Sequence, residues 1–531
     1  MNDANDRRLF WACFIALITT AFGFIVRAII IDDWATDFNL SATDKGEIFG
    51  VGLWPFAISI ILFSLFIDRV GYGNAMIFAF ICHVASAIIT MRATGYWDLY
   101  WGNFIVALGN GTVEAVINPV VATMFVREKT KWLNILHAGW PGGLVLGGLI
   151  TIGMGAGGLV SQAAGMDFTW QHKVAIILLP TVVYGLLMLT CRFPVNERVA
   201  AGVSDREMLR EFGILGAFIV GGLIVFEVSR VLEDRGWIFQ DWSDTAKLST
   251  RLGISAAIAG VFGMFVQSLG RPMFIFLLLI MVPLATTELG TDTWITDLMK
   301  PQMENLGIAA GWVLVYTSFI MMVLRFFAGP IVHALSPLGL LMASAAIAAV
   351  GLYSLSMASG MMILAAATLY GFGKTFFWPT MLGVVSEQFP RGGALTLNAT
   401  GGVGMLAVGV VGSVFLGYVQ DNKMVNKLTE ERPSVVAQVV DAKPTVFGTY
   451  QAVKPEKVAA QPADIRAEIT AIEGDTKKET LAVVAIFPVI MFVCYGLLLL
   501  YFKSRGGYQQ VHLEIERTND MLGAPVGTVE S

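Results

Sequence analysis

The chain has 531 residues, of which 56% are hydrophobic and only 14% are charged, and its mean hydropathy is +0.68. Soluble domains carry about 25% charged residues, so a chain this apolar needs lipid as the solvent for much of its surface. The net charge of −5 and the lack of a Lys/Arg-rich stretch argue against nucleic acid as a partner. The sequence has no nucleotide-binding glycine loop, metal-ligand cluster or nucleophile motif. We therefore expect no enzyme, no metal site and no cofactor.

The four cysteines each fall within or at the end of an apolar run; they are Cys13, Cys82, Cys191 and Cys494. This placement argues against a disulfide framework and against CxxC metal chemistry. We interpret them as small hydrophobic residues packed between helices. The N-terminal MNDANDRR precedes a long apolar run without a small-residue cleavage site, which predicts a retained first helix rather than a signal peptide.

Runs of about 20 mostly apolar residues, the length of a helix that crosses a bilayer, occur fourteen times. We number twelve of these spans and give letters to two. The predicted spans are 9–31 (span 1), 44–67 (2), 74–92 (3), 98–126 (4), 132–156 (5), 173–191 (6), 211–232 (a), 249–268 (b), 272–299 (7), 305–332 (8), 336–356 (9), 359–387 (10), 393–419 (11) and 480–503 (12).

Lysine and arginine in short loops mark the cytoplasmic side of a membrane protein. Here they collect in the loops that would share one side, before span 1 and after spans 2, 4, 6, b, 10 and 12. We therefore predict a multi-pass protein of the cell (inner) membrane with both termini cytoplasmic. The predicted parts are an N-terminal six-helix bundle (1–195), a cytoplasmic linker with an inserted helix pair (196–270), a C-terminal six-helix bundle (271–505) and a cytoplasmic tail (506–531). The long polar segment 420–479 would be extracytoplasmic, as a partly ordered cap or as a tether.

An internal repeat relates the two bundles. Span 1 ends in DDWATD at 32–37 and span 7 ends in DTWITD at 292–297, an offset of 260 residues. The same offset relates spans 4 and 10, and an offset one residue longer relates spans 5 and 11. The paired residues are Gly111 with Gly371, Glu114 with Lys374, Pro119 with Pro379, and His137 with Asn398. We interpret the bundles as parallel repeats in which one position carries opposite charges.

Two motifs resemble a known family. The segment SLFIDRVGYG at 64–73, between spans 2 and 3, resembles the signature loop of the major facilitator superfamily, and Asp68, Arg69 and Gly71 match it. The segment GNGTVEAVINP at 109–119 on span 4, followed by Leu133-Asn134, resembles the fucose-permease (fucose:galactose:H+ symporter) branch. The resemblance implies an all-α membrane fold of two six-helix repeats, here with an inserted pair. It also implies proton-coupled sugar uptake by alternating access.

The residues that the branch uses are only partly present. Glu114 falls on its span 4 carboxylate, which the resemblance implicates in proton coupling and substrate contact. The span 1 aspartate is replaced by Ala28, beside Arg27, and the span 5 amides are replaced by His137 and Trp140. Because of these departures, the resemblance does not identify the solute.

Five charged residues fall inside predicted spans, where a charge normally faces a partner or a water-filled cavity. They are Arg27, Glu114, Glu288, Arg325 and Lys374. The resemblance implies that spans 1, 4, 7 and 10 line the cavity, and these spans carry four of the five charges. We predict that Glu114 pairs with Arg27 and that Glu288 pairs with Lys374. Such pairs could exchange protons as the pairing changes, or they could be fixed structural ion pairs.

Uncharged residues complete the predicted site. His137 and its repeat counterpart Asn398 could bind a solute hydroxyl, or His137 could simply be packed. Trp140 and Trp378 lie deep enough to stack on a sugar, whereas Trp34 and Trp294 suit interfacial anchors. Glycine clusters on spans 5 and 11 predict close helix contacts.

We therefore expect a monomeric secondary transporter of a small polar solute, in the first instance a proton-coupled sugar, with membrane lipid as its surroundings. One alternative is a transporter of an organic anion such as a sugar acid or carboxylate. An alternative of another class is a transporter-derived sensor or scaffold, suggested by the extra helices and the long loop.

Overall fold

The computed structural model describes residues 4–291 and 312–513, and these are mostly helical. Twelve helices in the described ranges are long and apolar enough to cross a membrane. Each coincides with a predicted span. They are Ala4–Phe38 (span 1), Asp44–Val70 (2), Tyr72–Met91 (3), Tyr96–Met124 (4), Lys129–Gly153 (5), Trp170–Met188 (6), Asp205–Asp234 (a), Asp244–Val266 (b), Pro272–Gly290 (7), Pro337–Met357 (9), Pro390–Glu431 (11) and Ala463–Ser504 (12).

The two remaining predicted spans are broken helices. The described part of span 8 consists of Trp312–Phe326 and Ala328–Leu335, with a bend of 63°. Span 10 consists of Met362–Lys374 and Phe377–Gln388. The predicted end of span 7 with Trp294, the start of span 8 and the tail from 514 onward lie outside the described residues.

Glycines allow span 5 to lie close to helices of both bundles. A Cβ added to Gly143 would lie 2.5 Å from the carbonyl oxygen of Ile18 on span 1. A Cβ added to Gly148 would lie 2.8 Å from the side chain of Val315 on span 8. The close helix contacts predicted from the glycine cluster are therefore present. They place span 5 between span 1 of its own repeat and span 8 of the other.

The polar segment 420–479 is folded rather than a bare tether. The helix of span 11 continues to Glu431, and the helix of span 12 begins at Ala463. Between them lie the short helices Pro433–Val439 and Pro455–Ala459 and an antiparallel hairpin of β1 (Val440–Thr445) and β2 (Gly448–Val453). We call residues 420–479 the cap.

The cap docks on the inserted helix pair. The guanidinium of Arg251 on span b donates a 3.1 Å hydrogen bond to the carbonyl of Val446 at the hairpin turn. The backbone N–H of Thr449 donates to the carboxylate of Asp244, at the start of span b, over 3.0 Å. The cap and the inserted helix pair, neither of which belongs to the internal repeat, are therefore in direct contact.

Candidate functional site

Three prolines in spans 4, 5 and 10 each leave a backbone carbonyl without its helical partner. Proline has no N–H to donate to the carbonyl four residues earlier. The prolines are Pro119, Pro141 and Pro379, and the carbonyls belong to Ala115, His137 and Thr375. An unsatisfied backbone group costs several kcal/mol in a bilayer, so each of these carbonyls needs another donor.

Arg325 of span 8 donates to two of these carbonyls. Its Nε lies 2.7 Å from the oxygen of Thr375, and its Nη1 lies 2.9 Å from the oxygen of His137. Its Nη2 forms a salt bridge of 2.8 Å with Glu288 of span 7. The side chain of Arg325 is 2% exposed. One buried guanidinium therefore joins spans 5, 7, 8 and 10, and through span 5 it joins the two repeats.

Glu288 lies in a π-helical turn, Thr286–Gly290, that follows the α-helix of span 7. Its second oxygen accepts a 2.9 Å hydrogen bond from the backbone N–H of Trp378. Such π-helical turns occur frequently at functional sites. Both carboxylate oxygens are thus held by span 8 and span 10.

Lys374 is also buried, at 1% exposed, and its ammonium lies 5.6 Å from the ring centre of Tyr370. Glu288 forms an ion pair with Arg325, which does not test a second pair with Lys374. The predicted pairing of Glu288 with Lys374 therefore stays a prediction.

Glu114 begins a chain of polar side chains within the first repeat. It accepts a 2.6 Å hydrogen bond from the amide of Asn118, one helical turn further along span 4. The amide oxygen of Asn118 lies 3.0 Å from Nε2 of His137 on span 5, so that nitrogen donates. Within the described ranges Glu114 is buried and has no salt bridge. This series of hydrogen-bonded side chains ends at His137, whose backbone carbonyl accepts a hydrogen bond from Arg325.

The predicted pairing of Arg27 with Glu114 is wrong. Arg27 donates to the carbonyl of Gly23 over 3.1 Å and to the hydroxyl of Ser86 on span 3 over 3.0 Å. Ser86 in turn donates to the carbonyl of Gly102. Gly102 precedes Glu114 by twelve residues on span 4, which is about 18 Å of helix at 1.5 Å per residue. Arg27 thus lies at a different depth from Glu114, and its side chain reaches span 3 at Ser86.

The third freed carbonyl is bound by Asn398. Its amide donates a 3.0 Å hydrogen bond from span 11 to the oxygen of Ala115 on span 4. Its own side-chain oxygen is buried and has no hydrogen-bond partner in the described parts of the chain. Asn398 therefore connects the two repeats and keeps one acceptor available.

The two predicted sugar-stacking tryptophans differ in their surroundings. Trp378 is buried, and a Cβ added to Gly404 of span 11 would lie 2.7 Å from its ring. Trp140 is only partly buried, and its ring centre lies 6.1 Å from that of Phe24 on span 1. Of the two, Trp140 is the more exposed.

The signature loop contacts the linker that follows span 6. Asp68 forms a 2.6 Å salt bridge with the buried Arg198, and Arg69 forms one with Asp205. Gly71 has a φ of 86°, a left-handed conformation that favours glycine. The structure thus gives the three residues defined contacts, and their conformational role stays a prediction.

The side of the molecule that carries this loop is closed by contacts between the repeats. The carboxylate of Glu387 on span 10 accepts hydrogen bonds from the N–H and the hydroxyl of Thr130 on span 5, at 3.1 and 2.6 Å. It also accepts one of 2.8 Å from Tyr508, beyond span 12. The ammonium of Lys129 donates to the carbonyl of Ser386 over 3.1 Å. We call these five residues the latch.

Sequence reasoning assigned Arg325 and Asn118 no place in the site. Arg325 was noted as a buried charge, but it lies on span 8, which is not one of the four spans that the resemblance places around the cavity. A signal was present in the prolines, because Pro141 and Pro379 each create an acceptor that a buried guanidinium can satisfy.

Two curated proteins with short regions of similarity are transporters. The riboflavin transporter MCH5 of Saccharomyces cerevisiae is 29% identical over 140 residues, which are 25% of this chain and 27% of that protein. The gentisate transporter of Corynebacterium glutamicum is 24% identical over 192 residues, 36% of this chain and 41% of that one. Each match thus spans less than half the length of the relative.

Solved structures share the fold along nearly the whole chain. The proton:xylose symporter XylE, bound to a bromodeoxyglucose, has a TM-score of 0.56 at 15% identity, covering 93% of this chain and 95% of that chain. The fucose:proton symporter FucP of E. coli has a TM-score of 0.50 at 14% identity, covering 90% and 98%. These likenesses support the predicted all-α fold of membrane-spanning helices.

The resemblance read from the signature loop is confirmed at the level of the superfamily. The family model described as Major Facilitator Superfamily matches residues 12–413, which is more than half of the chain. The relatives and solved structures named here are transporters of small solutes and not enzymes. This chain belongs to the Major Facilitator Superfamily.

Proposed function

We propose that the protein moves a small polar solute, in the first instance a sugar, together with protons by alternating access, and that Glu114 carries the proton. One observation carries this proposal: Glu114 is buried in span 4 with a neutral amide as its partner and without a salt bridge in the described ranges. A charge in the bilayer interior costs at least a few kcal/mol. A carboxyl group held in this way gains from binding a proton and can release it when water reaches it.

The polar chain from Glu114 gives the proton a route to the other repeat. An ionised Glu114 accepts from the amide of Asn118, whereas a protonated one also needs an acceptor for its own O–H. The second state therefore favours a different orientation of Asn118 and, through it, of His137. The carbonyl of His137 is bound by Arg325, so both repeats respond. A ligand shifts a conformational equilibrium only through such differences between the two states.

Two groups support a sugar as the solute. The ring of Trp140 is partly exposed beside span 1, and aromatic faces suit the apolar faces of sugars. The side-chain oxygen of Asn398 is a buried acceptor that a solute hydroxyl could satisfy. The fucose-permease-like branch of the superfamily is part of this proposal.

An organic anion is the second candidate. Arg325 and Lys374 place two buried cations around the span 10 break, and a curated relative transports gentisate. A carboxylate on the solute would compete with Glu288 for Arg325. Thermal-shift screening of the purified protein against neutral sugars and the matching sugar acids, at two pH values, distinguishes the two candidates. Stabilisation by the acids alone would favour the anion.

We also propose the arrangement in the membrane. The protein lies as a monomer in the cell (inner) membrane with both termini and the latch on the cytoplasmic side. The bundles 1–195 and 271–505 would move against each other, and residues 196–270 would remain an inserted pair. Labelling of single cysteines placed in the cap and in the loop after span 4, with an impermeant reagent on intact cells, tests the orientation. The cap should react and the loop should not.

The proposed role of Glu114 in proton coupling is tested with the Glu114→Gln variant in proteoliposomes, using the solute found in the screen. We expect solute-driven proton uptake to be lost while solute counterflow continues. Glu227→Gln is the matched control, because Glu227 is equally buried but lies on span a and pairs with Arg230. Undiminished proton uptake by Glu114→Gln would reject the role of Glu114. Failure of every solute to show counterflow would instead favour a sensor or scaffold.

A further inference from the structure

A basic cavity lies where the inserted helix pair meets the second repeat. It has a volume of about 410 Å³ and is lined by residues from the start of span a, the turn between span b and span 7, and the first turn of span 11. Its charged lining residues are Arg210, Arg271, Arg391, Glu207 and Glu211. Three guanidinium groups thus face two carboxylates, which leaves one positive charge in excess.

The backbone holds this cavity in a fixed shape. The chain of span a crosses the turn after span b at Gly213 and Gly270, which have φ values of 66° and 95°. The N–H of Ile214 donates to the carbonyl of Ser268 over 2.9 Å, and the N–H of Arg271 donates to the carbonyl of Glu211 over 3.0 Å. Arg210 and Arg271 therefore project from a hydrogen-bonded crossing.

The excess charge can be assigned to Arg210. Arg271 forms a salt bridge of 2.9 Å with the buried Glu211, and Arg391 forms one of 2.6 Å with Glu207. Arg210 is exposed, and its Nε donates to the backbone carbonyl of Val266 over 3.3 Å. Among the described residues no carboxylate pairs with it. Its terminal N–H groups are therefore available to an anion.

Apolar side chains continue from this cavity into the membrane-spanning surface. Leu269 directly precedes the lining residue Gly270 and is 66% exposed, and Phe265, one helical turn earlier on span b, is 74% exposed. Leu215 of span a is exposed beside them, and its N–H donates to the carbonyl of Leu269 over 3.3 Å. A cationic cavity below an exposed apolar strip is the arrangement that accommodates a charged headgroup with its acyl chain.

We propose that this cavity binds the phosphate of an anionic phospholipid headgroup, with Arg210 as its main contact and an acyl chain along Phe265 and Leu269. Guanidinium groups bind phosphate oxygens through charge-assisted hydrogen bonds, and basic pockets between membrane helices on the cytoplasmic side suit anionic headgroups. The headgroup would lie between the inserted pair and the first turn of span 11. The site is independent of the solute and of the proton route.

The test is native mass spectrometry of the full-length protein with dioleoyl-phosphatidylglycerol or dioleoyl-phosphatidylcholine. We expect the wild type to retain phosphatidylglycerol preferentially. In Arg210→Gln the dissociation constant for it should rise about tenfold, as loss of a charged hydrogen bond implies. The control is Arg432→Gln, since Arg432 is an exposed arginine of the cap that pairs with Glu468. Equal retention by Arg210→Gln and the wild type would overturn the proposal.

A second measurement separates a lipid from free phosphate and from a folding defect. Thermal unfolding should be slowed by phosphatidylglycerol and unaffected by inorganic phosphate. Equal stabilisation by inorganic phosphate would overturn the lipid assignment. The Arg210→Lys variant keeps the charge and should keep the preference for phosphatidylglycerol. An equal loss of that preference in Arg210→Gln and Arg432→Gln would show a general charge effect and would also overturn the assignment.

Discussion

The guanidinium of Arg325 donates to the carbonyl oxygen of His137, 2.9 Å away in the other repeat. That carbonyl is available because Pro141 has no N–H to bond it. The same guanidinium binds Glu288, so this contact joins a buried ion pair to the span that carries His137. Arg325 therefore joins the two repeats through its hydrogen bond to His137 and holds Glu288 through its charge.

Replacing Arg325 by Met should destabilise the protein strongly. The change removes the ion pair between Arg325 and the buried Glu288 and the donor to two carbonyls, and removing one partner of a buried pair costs about 3–5 kcal/mol. Thermal unfolding in detergent measures the loss. The double variant Glu288→Gln with Arg325→Met should recover part of that stability, because it removes both charges of this ion pair. Equal stability of the single and double variants would show that Glu288 is not held as a charge by Arg325.

Asn398 and Pro119 should be energetically coupled. In the wild type, Asn398→Ala removes the donor to the carbonyl of Ala115, and leaving that acceptor unsatisfied costs about 1–3 kcal/mol. In a Pro119→Ala background residue 119 has an N–H that can bond the same carbonyl, so the effect of Asn398→Ala should be smaller. A double-mutant cycle on unfolding free energies measures the difference. Additive effects would contradict the assignment of the carbonyl to Asn398.

Gly213→Ala should disrupt the base of the inserted pair. Gly213 has a φ of 66°, and an added Cβ would overlap the backbone of Gly270. Gly260→Ala on span b is the matched control, because a Cβ there has nothing within 4 Å and alanine is favoured over glycine in helices by about 1 kcal/mol. We expect lower thermal stability in the first variant and unchanged or higher stability in the second. Similar stability in both would contradict the close crossing.

Glu387→Ala should loosen the latch. Thr130 and Tyr508 would lose their shared acceptor, and the closed state of this side would lose several hydrogen bonds of about 1 kcal/mol each. Spin labels at the exposed positions 127 and 505 give the distance between the two repeats by double electron–electron resonance. We expect this distance to increase in Glu387→Ala. Glu479→Ala in the cap is the control. Unchanged distance distributions in Glu387→Ala would reject the latch.

Much of the fold could be predicted because membrane helices are determined locally. All fourteen apolar runs are helical where the structure describes them, since bilayer thickness sets the length of a span. The breaks in spans 8 and 10 were not predicted. The break in span 10 lies at Thr375 and Phe376, just before Pro379, and a proline signal for it was present in the sequence.

The candidate site was predicted less completely. Glu114, His137 and Asn398 all lie where the two repeats meet, and Glu288 is buried beside span 10. Arg27 was placed with the wrong partner, and Arg325 was left out of the site. Both errors concern which charge faces which, and hydrophobic periodicity within one span does not contain that information.

The sequence alone determined where the apolar helices lie, the superfamily, and which residues place charges inside apolar helices. These properties depend on composition and spacing within short segments. Only the tertiary structure decided that Arg27 donates a hydrogen bond to Ser86, and that Arg325 forms an ion pair with Glu288 and a hydrogen bond with the carbonyl of His137. Those contacts depend on the depth and rotation of helices that are far apart in the chain, and on carbonyls that proline frees for whichever donor packs beside them.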